Sequence, residues 1–252
     1  MFSYISSLFS DPLGTLSFFL LAFPGRILAI SAHEFAHAWM ADKCGDPTAR
    51  MYGRLTLNPL KHLDLIGTLM MLLLGFGWAK PVPVNPYNFR NYRKDDLKVS
   101  LAGITMNLIL FILGFIGVSA MAILAIAKTG RSDFFELIRY SVNLNPDFIS
   151  AMLGTVPGYI YQMLQYFVYV NISLAVFNLL PVPPLDGYHV LNDLVLKRNL
   201  FASQKVARTS MGLMYLLMFT GMLGRIISVA VNAVISGAGL LLEALCRMGG
   251  LF

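Results

Sequence analysis

Several apolar stretches in this chain are long enough to cross a lipid bilayer, and they constrain its fold more than any other feature. A transmembrane helix needs roughly 18 or more predominantly apolar residues, and several windows exceed that length. Of the 252 residues, 57% are hydrophobic and only 13% are charged, and the mean hydropathy is +0.67. This composition is far from that of soluble domains. We therefore predict an all-α polytopic membrane protein, a core bundle of transmembrane helices in contact with the lipid bilayer.

The charges and cysteines exclude other classes of protein. The net charge of +6 comes from short basic segments between apolar runs, where loop charges face anionic lipid and the cytoplasm, so we expect no nucleic-acid partner. Cys44 and Cys246 are too few and too far apart for a disulfide framework. Residues 1–11 have no basic region typical of a cleaved signal peptide, and we expect the first apolar segment to be retained.

We predict one integral membrane domain over residues 1–252, because no repeat or soluble appendage interrupts it. Its expected parts are a first helix over 13–41, a re-entrant segment over 64–86, a core helix over 99–127, an external segment over 128–158, a second core helix with the turn after it over 159–196, and C-terminal helices within 210–245, one long or two short. Basic residues concentrate in three loops, at 43–61, 80–98 and 197–208. The positive-inside rule places these loops in the cytoplasm and the N-terminus outside.

The apolar run from Leu65 to Trp78 is too short to span the membrane. As a helix it would be about 21 Å long, whereas the hydrocarbon core is about 30 Å thick. Both of its flanks are basic and are therefore expected on the same side. We predict that this run dips into the membrane and returns as a re-entrant, β-like segment.

The first apolar helix carries His33-Glu34-Phe35-Ala36-His37, an H-E-x-x-H pattern. On a helix the two imidazoles lie only about 40° apart around the axis and can bind one metal ion, whereas Glu34 lies about 100° from His33 and can take a proton from metal-bound water. Each ionisable group in mid-membrane costs about 2.5 to 3.5 kcal/mol on insertion scales, which favours a functional site. The alternative is a structural role, with both histidines in interhelical hydrogen bonds and Glu34 a neutral acid.

Two histidines leave a tetrahedral site incomplete, so a third protein ligand is needed. Asp186 is the other acid that lies in an apolar stretch away from the chain ends, just after Pro181-Val182-Pro183-Pro184. It and His37 are both expected near the cytoplasmic face. We predict one Zn²⁺ per chain, held by His33, His37 and Asp186. The alternative is that Asp186 caps a helix that starts near Tyr188.

These motifs closely resemble those of the site-2 protease family of intramembrane zinc metalloproteases, in the short prokaryotic form without a PDZ or CBS domain. The resemblance rests on HEFAH at 33–37 and NLLPVPPLDG at 178–187, and extends through GRLTLNP at 53–59 and GWAKPVPVNP at 77–86. It covers roughly residues 25 to 200. It implies that His33, His37 and Asp186 bind zinc and that Glu34 is the catalytic base.

Two asparagines are candidate substrate-binding residues. Residues 102–107, AGITMN, are similar to the family's A-G-P-x-x-N signature, with Ile104 in place of proline. The resemblance implies that Asn107 faces the active site, where it could bind substrate or the developing oxyanion; the alternative is an interhelical hydrogen bond. Asn178 could bind substrate backbone or satisfy the chain before the prolines. His189 could be a substitute ligand, or it could hydrogen-bond one of the metal ligands.

The expected function is hydrolysis of peptide bonds within or next to transmembrane segments of membrane proteins, in the cell membrane and near its cytoplasmic face. The re-entrant run from Leu65 to Gly77 and the following Pro81-Val82-Pro83-Val84 are expected to supply an extended edge that receives the unwound substrate as an added strand. One alternative is a metal transporter, which predicts several layers of ligands across the membrane. Another is an inactive homologue that acts as a chaperone, which would not need Glu34. The sequence leaves the oligomeric state open.

Overall fold

The computed structural model describes residues 9–74, 77–129, 134–196 and 204–249, and over these residues the chain is helical, without a named β-strand. The helices are α1 (Pro12–Lys43), α2 (Thr48–Met51), α3 (Leu65–Leu74), α4 (Tyr92–Ala127), α5 (Phe134–Arg139), α6 (Pro146–Leu153), α7 (Thr155–Asn178), α8 (Asp186–Val190), α9 (Gln204–Phe219) and α10 (Met222–Met248), with a π-helical turn at Leu191–Leu196 and 3₁₀ turns at Pro59–Lys61, Pro86–Asn88 and Ser141–Asn143.

Helices α1, α4, α7 and α10 are long and apolar enough to cross a membrane. The protein is therefore an all-α polytopic membrane protein, as predicted. Side chains at the helix starts satisfy free backbone donors: Asp11 accepts from Gly14 N at 2.9 Å at the start of α1, and Asn91 accepts from Lys94 N at 3.3 Å at the start of α4. The predicted cytoplasmic segment at 197–208 includes residues 197–203, which lie outside the described residues.

The main core lies where α4 and α7 pack together, with α5, α6 and α10 against them. Its larger buried members are Phe111, Val118, Ile126, Ile138, Val142, Ile149, Tyr161, Val168, Ile172, Val231 and Ile235. Many other apolar side chains of the long helices are exposed, among them Leu20, Leu113, Ile116, Leu124 and Val229. In a bilayer such side chains face lipid, so the buried positions between helices remain available for polar residues.

The run predicted to be re-entrant consists of a short helix and an extended return. Helix α3 has ten residues, which is about 15 Å. We call residues 77–88 the return segment; it runs back past the start of α3, with an antiparallel bridge between Leu63 and Ala79. A Cβ on Gly77 would lie 2.0 Å from Gly67 O. Glycine is therefore required where the return segment passes the helix.

Asp46 ties the return segment to the loop after α1. Its carboxylate accepts from Asn85 N at 2.7 Å, Asn88 Nδ2 at 2.8 Å and Thr48 N at 3.1 Å, and also from the Thr48 hydroxyl. Asp46 is 0% exposed. Burial raises the pKa of this carboxyl, but the hydrogen bonds from Thr48, Asn88 and Asn85 outweigh burial, and its pKa is below its ordinary value. The carboxylate therefore fixes where the return segment crosses the end of α1.

A sharp turn brings the end of the NLLPVPPLDG motif at 178–187 back against the bundle. Helix α7 ends at Asn178, and after the prolines α8 begins at Asp186. A Cβ on Gly187 would lie 2.3 Å from Leu179 O and 2.6 Å from Leu180 O. Only glycine permits this approach, which directs Asp186 toward α1. At the C-terminus, α9 and α10 are separate helices that meet at Gly221, whose φ is +74°.

Candidate metal centre

Two imidazoles and one carboxylate converge between α1 and α8. His33 Nε2 lies 3.0 Å from His37 Nε2, and Asp186 Oδ2 lies 3.4 Å from the first and 3.3 Å from the second. Both histidines are buried, and Asp186 Oδ2 is buried without a hydrogen-bond partner. Among the described residues, these three form the one group of metal-binding side chains found. The structure thus brings together the three residues that the sequence suggested as ligands.

The outer nitrogens of both imidazoles are already hydrogen-bonded. His33 Nδ1 lies 2.7 Å from Asn107 Oδ1, and His37 Nδ1 lies 2.7 Å from Val99 O. Both partners are acceptors, so a neutral imidazole at either position carries its proton on Nδ1. The Nε2 lone pairs then face each other and the Asp186 carboxylate. Such a cluster of acceptors requires a positive charge among them, either a proton or a metal ion.

The spacing of the three atoms fits a tetrahedral metal ion. Ligands about 2.0 to 2.1 Å from a tetrahedral zinc ion lie about 3.3 to 3.4 Å from one another. The two distances to Asp186 Oδ2 equal this spacing, and the distance between the imidazoles is slightly shorter. Two imidazoles with one carboxylate form the donor set of hydrolytic zinc sites, in which a fourth position is left for water. The residues therefore fit the ion.

Gly103 of α4 makes room for the two imidazoles. A Cβ at this position would lie 2.4 Å from His37 Nε2 and 2.6 Å from His33 Cε1. The backbone of α4 thus forms one wall of the metal centre. This glycine belongs to the AGITMN stretch, whose similarity to a family signature the sequence already indicated.

Neither structural alternative for the ligand residues describes the geometry fully. The interhelical hydrogen bonds engage Nδ1 of each histidine but leave Nε2 for the cluster. Asp186 is the first residue of α8, and the capping position is Leu185, which makes no side-chain cap. The carboxylate is therefore free to face the imidazoles.

Glu34 lies beside the return segment. It is half-buried, and its Oε2 accepts from Val82 N at 2.9 Å. This bond holds one carboxylate oxygen, and Oε1 has no such bond to Val82. A backbone donor leaves no trace in the sequence, and the contact of Val82 with Glu34 was not predicted.

The structure places Asn107 behind the metal centre. It is 0% exposed, its Oδ1 faces His33, and its Nδ2 donates to Asn171 Oδ1 at 3.0 Å and Ala29 O at 3.3 Å. With its polar atoms engaged, Asn107 is better placed to orient His33 than to contact substrate. Asn178 donates to Leu174 O at 3.0 Å; its contact with substrate stays a prediction.

His189 pairs with an acid on α4. Its Nδ1 lies 2.8 Å from Asp96 Oδ2, and this bond raises the pKa of His189 against the effect of burial. Burial, followed by the nearby Asp96 carboxylate, raises the pKa of Asp193 to about 6. His189 thus belongs to a cluster formed by the end of α8, the π-helical turn and the start of α4. His62 is also engaged elsewhere, 2.7 Å from Thr56 O.

An open cavity of about 370 Å³ lies along the return segment; it is lined by Tyr52, Arg54, Lys80, Pro81 and Pro83. The buried Arg54 donates to Lys80 O at 2.6 Å and so supports one wall. Val82, which contacts Glu34, stands between the two prolines of the lining. The cavity therefore follows the part of the return segment that includes the Val82 contact, although Val82 and Glu34 are not among its lining residues.

Comparison with known proteins gives a family match over most of the chain. The sequence profile of "Peptidase family M50" matches residues 19–221. The "Putative zinc metalloprotease YwhC" of Bacillus subtilis is 40% identical over 174 residues, which are 67% of this chain and 66% of YwhC. No solved structure matches the chain.

Two mycobacterial proteins are also similar, both named "Putative zinc metalloprotease Rip2". The one from Mycolicibacterium smegmatis is 30% identical over 185 residues, 71% of this chain and 59% of that protein. The one from Mycobacterium tuberculosis is 30% identical over 187 residues, 72% of this chain and 60% of that protein. The matched region thus spans two thirds or less of these relatives' own length.

Proposed function

This chain belongs to peptidase family M50, and we propose that it is an intramembrane metalloendopeptidase that holds one zinc ion per chain. Its substrates would be membrane proteins cleaved within or next to a transmembrane segment, as in regulated intramembrane proteolysis. The observation that carries the proposal is the convergence of His33 Nε2, His37 Nε2 and the unpartnered Asp186 Oδ2 at 3.0 to 3.4 Å. The names of YwhC and Rip2, which describe zinc metalloproteases, support the choice of metal.

Glu34 is the proposed general base. When bound, a zinc ion supplies Lewis acidity, because it lowers the pKa of coordinated water and polarises the scissile carbonyl. The Glu34 carboxylate accepts a proton from the attacking water and passes it to the leaving amine. Because Val82 N–H holds Oε2 at 2.9 Å, we assign the proton transfers to Oε1.

The return segment is the proposed substrate-binding edge. Three backbone donors there are engaged: Lys80 N donates to His62 O at 2.8 Å, Val82 N to Glu34 and Asn85 N to Asp46. Pro81 and Pro83 have no N–H. The carbonyls of residues 81–84 receive no hydrogen bond from the described part of the chain. An unwound substrate segment would donate its own N–H groups to these carbonyls as an added strand.

Hydrolysis needs water, so the site must open to a polar space. The open cavity along the return segment is such a polar space near the proposed site, and the basic residues Arg54 and Lys80 that line it suit the cytoplasmic side of a cell membrane. We propose that the active site lies near that face. Asn178, at the end of α7, would contact the substrate backbone beside Asp186.

The test is Glu34→Gln in the full-length protein, reconstituted in liposomes with a model single-span substrate. The variant should retain zinc, measured by mass spectrometry of the metal, and lose cleavage by at least about 100-fold. Asp186→Asn is the companion variant and should lose both zinc and cleavage. Full cleavage by Glu34→Gln would refute the assigned base. Zinc flux that survives Glu34→Gln would instead indicate a transporter, and client binding without cleavage by the wild type would indicate a chaperone.

A further inference from the structure

A chain of side-chain amides connects α7 to the metal centre through α4. Asn171 Nδ2 donates to Phe167 O at 2.8 Å, and Asn171 Oδ1 accepts from Asn107 Nδ2 at 3.0 Å. Asn107 Oδ1 in turn accepts from His33 Nδ1 at 2.7 Å. The bonds therefore run in one direction, from an imidazole N–H on α1 to a backbone carbonyl on α7.

Both asparagines are completely buried. Asn107 and Asn171 are each 0% exposed, so no bulk water can exchange for a lost partner. An unsatisfied buried amide has lost its hydration without gaining a replacement partner. Each amide is consequently held in the orientation in which its NH₂ group faces acceptors and its oxygen faces a donor.

Backbone carbonyls fix that orientation because they only accept. Phe167 O requires Asn171 to present its NH₂ group there, which leaves Oδ1 toward Asn107. Ala29 O, 3.3 Å from Asn107 Nδ2, imposes the same orientation on the second amide. If both amide groups were rotated by half a turn, Asn107 would present its NH₂ group to His33. The backbone carbonyl oxygens of Phe167 and Ala29 would then face side-chain amide oxygens, with no donor between them. His33 would then carry its proton on Nε2, the atom that faces Asp186 and His37.

We propose that Asn171 is a positioning residue of the metal centre, which acts through Asn107 to keep His33 in the Nδ1–H tautomer with Nε2 free to bind metal. The inference rests on the proposed zinc site but not on the reaction catalysed there. If the two asparagines only held the helices together, one hydrogen bond between them would suffice, and either amide could be the donor. In this chain the acceptors Phe167 O and Ala29 O select one direction, and that direction leaves a lone pair on His33 Nε2.

The first test measures zinc affinity of the full-length protein in detergent, by competition with a chromophoric chelator. Asn171→Leu is expected to weaken zinc binding by about 10- to 100-fold, as removal of outer-shell partners does in other metal sites. Gln165→Leu is the matched control: it lies on the same helix and also loses amide bonds to backbone carbonyls, Val142 O at 2.7 Å and Leu144 O at 3.0 Å. The control should lower the unfolding temperature and keep wild-type zinc affinity.

Equal zinc affinity of Asn171→Leu and the wild type would overturn the proposal, and so would an equal loss in the Gln165→Leu control. A second measurement needs no variant. In the metal-free wild type at alkaline pH, ¹⁵N shifts of the histidine rings should show His33 protonated at Nδ1. Protonation at Nε2 would also overturn the proposal. Neither readout depends on proteolysis, so a protein that binds zinc in this way but cleaves nothing would refute the proposed function alone.

Discussion

Replacing Gly103 by alanine should abolish metal binding while leaving the helical bundle folded. The added Cβ would lie 2.4 Å from His37 Nε2 and 2.6 Å from His33 Cε1, whereas ordinary contacts begin near 3.4 Å. One imidazole must therefore move by about 1 Å and the other by about 0.8 Å, several times the tolerance of about 0.2 Å on a metal–ligand distance. We expect zinc affinity to fall by at least about 100-fold.

Stability should change much less than affinity. Alanine has a better helix propensity than glycine by about 0.8 to 1.0 kcal/mol, and overpacking costs about 1 to 3 kcal/mol, so the net loss is at most about 2 kcal/mol. The control is Gly117→Ala on the same helix, where the nearest atom to a new Cβ is Leu164 Cδ1 at 3.4 Å. This variant should be stabilised by the better helix propensity of alanine and should bind zinc with wild-type affinity. Chelator competition and thermal unfolding of both variants provide the measurements, and wild-type zinc affinity in Gly103→Ala would refute the packing argument.

Three further perturbations follow from the contacts described above. Val82→Pro removes the N–H that holds Glu34, so kcat should fall by roughly tenfold while zinc is retained. This is part of the rate enhancement of about 10²- to 10⁴-fold that a positioned base contributes. Val82→Ala keeps the N–H, and its kcat should fall less. Asp46→Asn places an NH₂ group among donors and should cost about 1 to 3 kcal/mol at pH 7. The pKa of Asp46 in the folded protein is lowered. The unfolding temperatures of the wild type and Asp46→Asn should therefore differ most above the unfolded pKa of about 3.9, and the difference should disappear as the pH falls through the folded pKa. Removing zinc with a chelator should lower the unfolding temperature of the wild type but not of Asp186→Asn, because a ligand at about 100 times its Kd stabilises by about 2.7 kcal/mol.

The three ligand residues could be found in the sequence because their chemistry is exceptional in an apolar chain. The spacing of His33 and His37 places both on one helix face, and Asp186 is an acid next to a proline-rich break. Polar residues are rare in membrane-spanning segments because their insertion is costly, so these few could be recognised in the sequence. Their convergence at 3.0 to 3.4 Å follows from the turn at Gly187, for which the glycine was itself a sequence signal.

The supporting residues were harder to predict because their roles depend on how three helices pack. Asn171 was visible as an amide within the apolar α7, and such a residue indicates an interhelical contact but not its partner. Asn107 was expected either to contact substrate or to form an interhelical hydrogen bond, and its Oδ1 faces His33 because α4 presents it toward α1. The Val82–Glu34 contact was invisible, since a backbone N–H belongs to almost every residue.

The proposed metal ligands lie about 150 positions apart in the chain, between His33 and Asp186. A ribosome that has translated the first helix has produced the base and two imidazoles, but the third donor is still unmade and the turn that presents it has not formed. A nascent chain is therefore expected to pass through insertion without a complete zinc centre, and if the protein cleaves as proposed, the order of synthesis alone would delay that activity until Asp186 has been added.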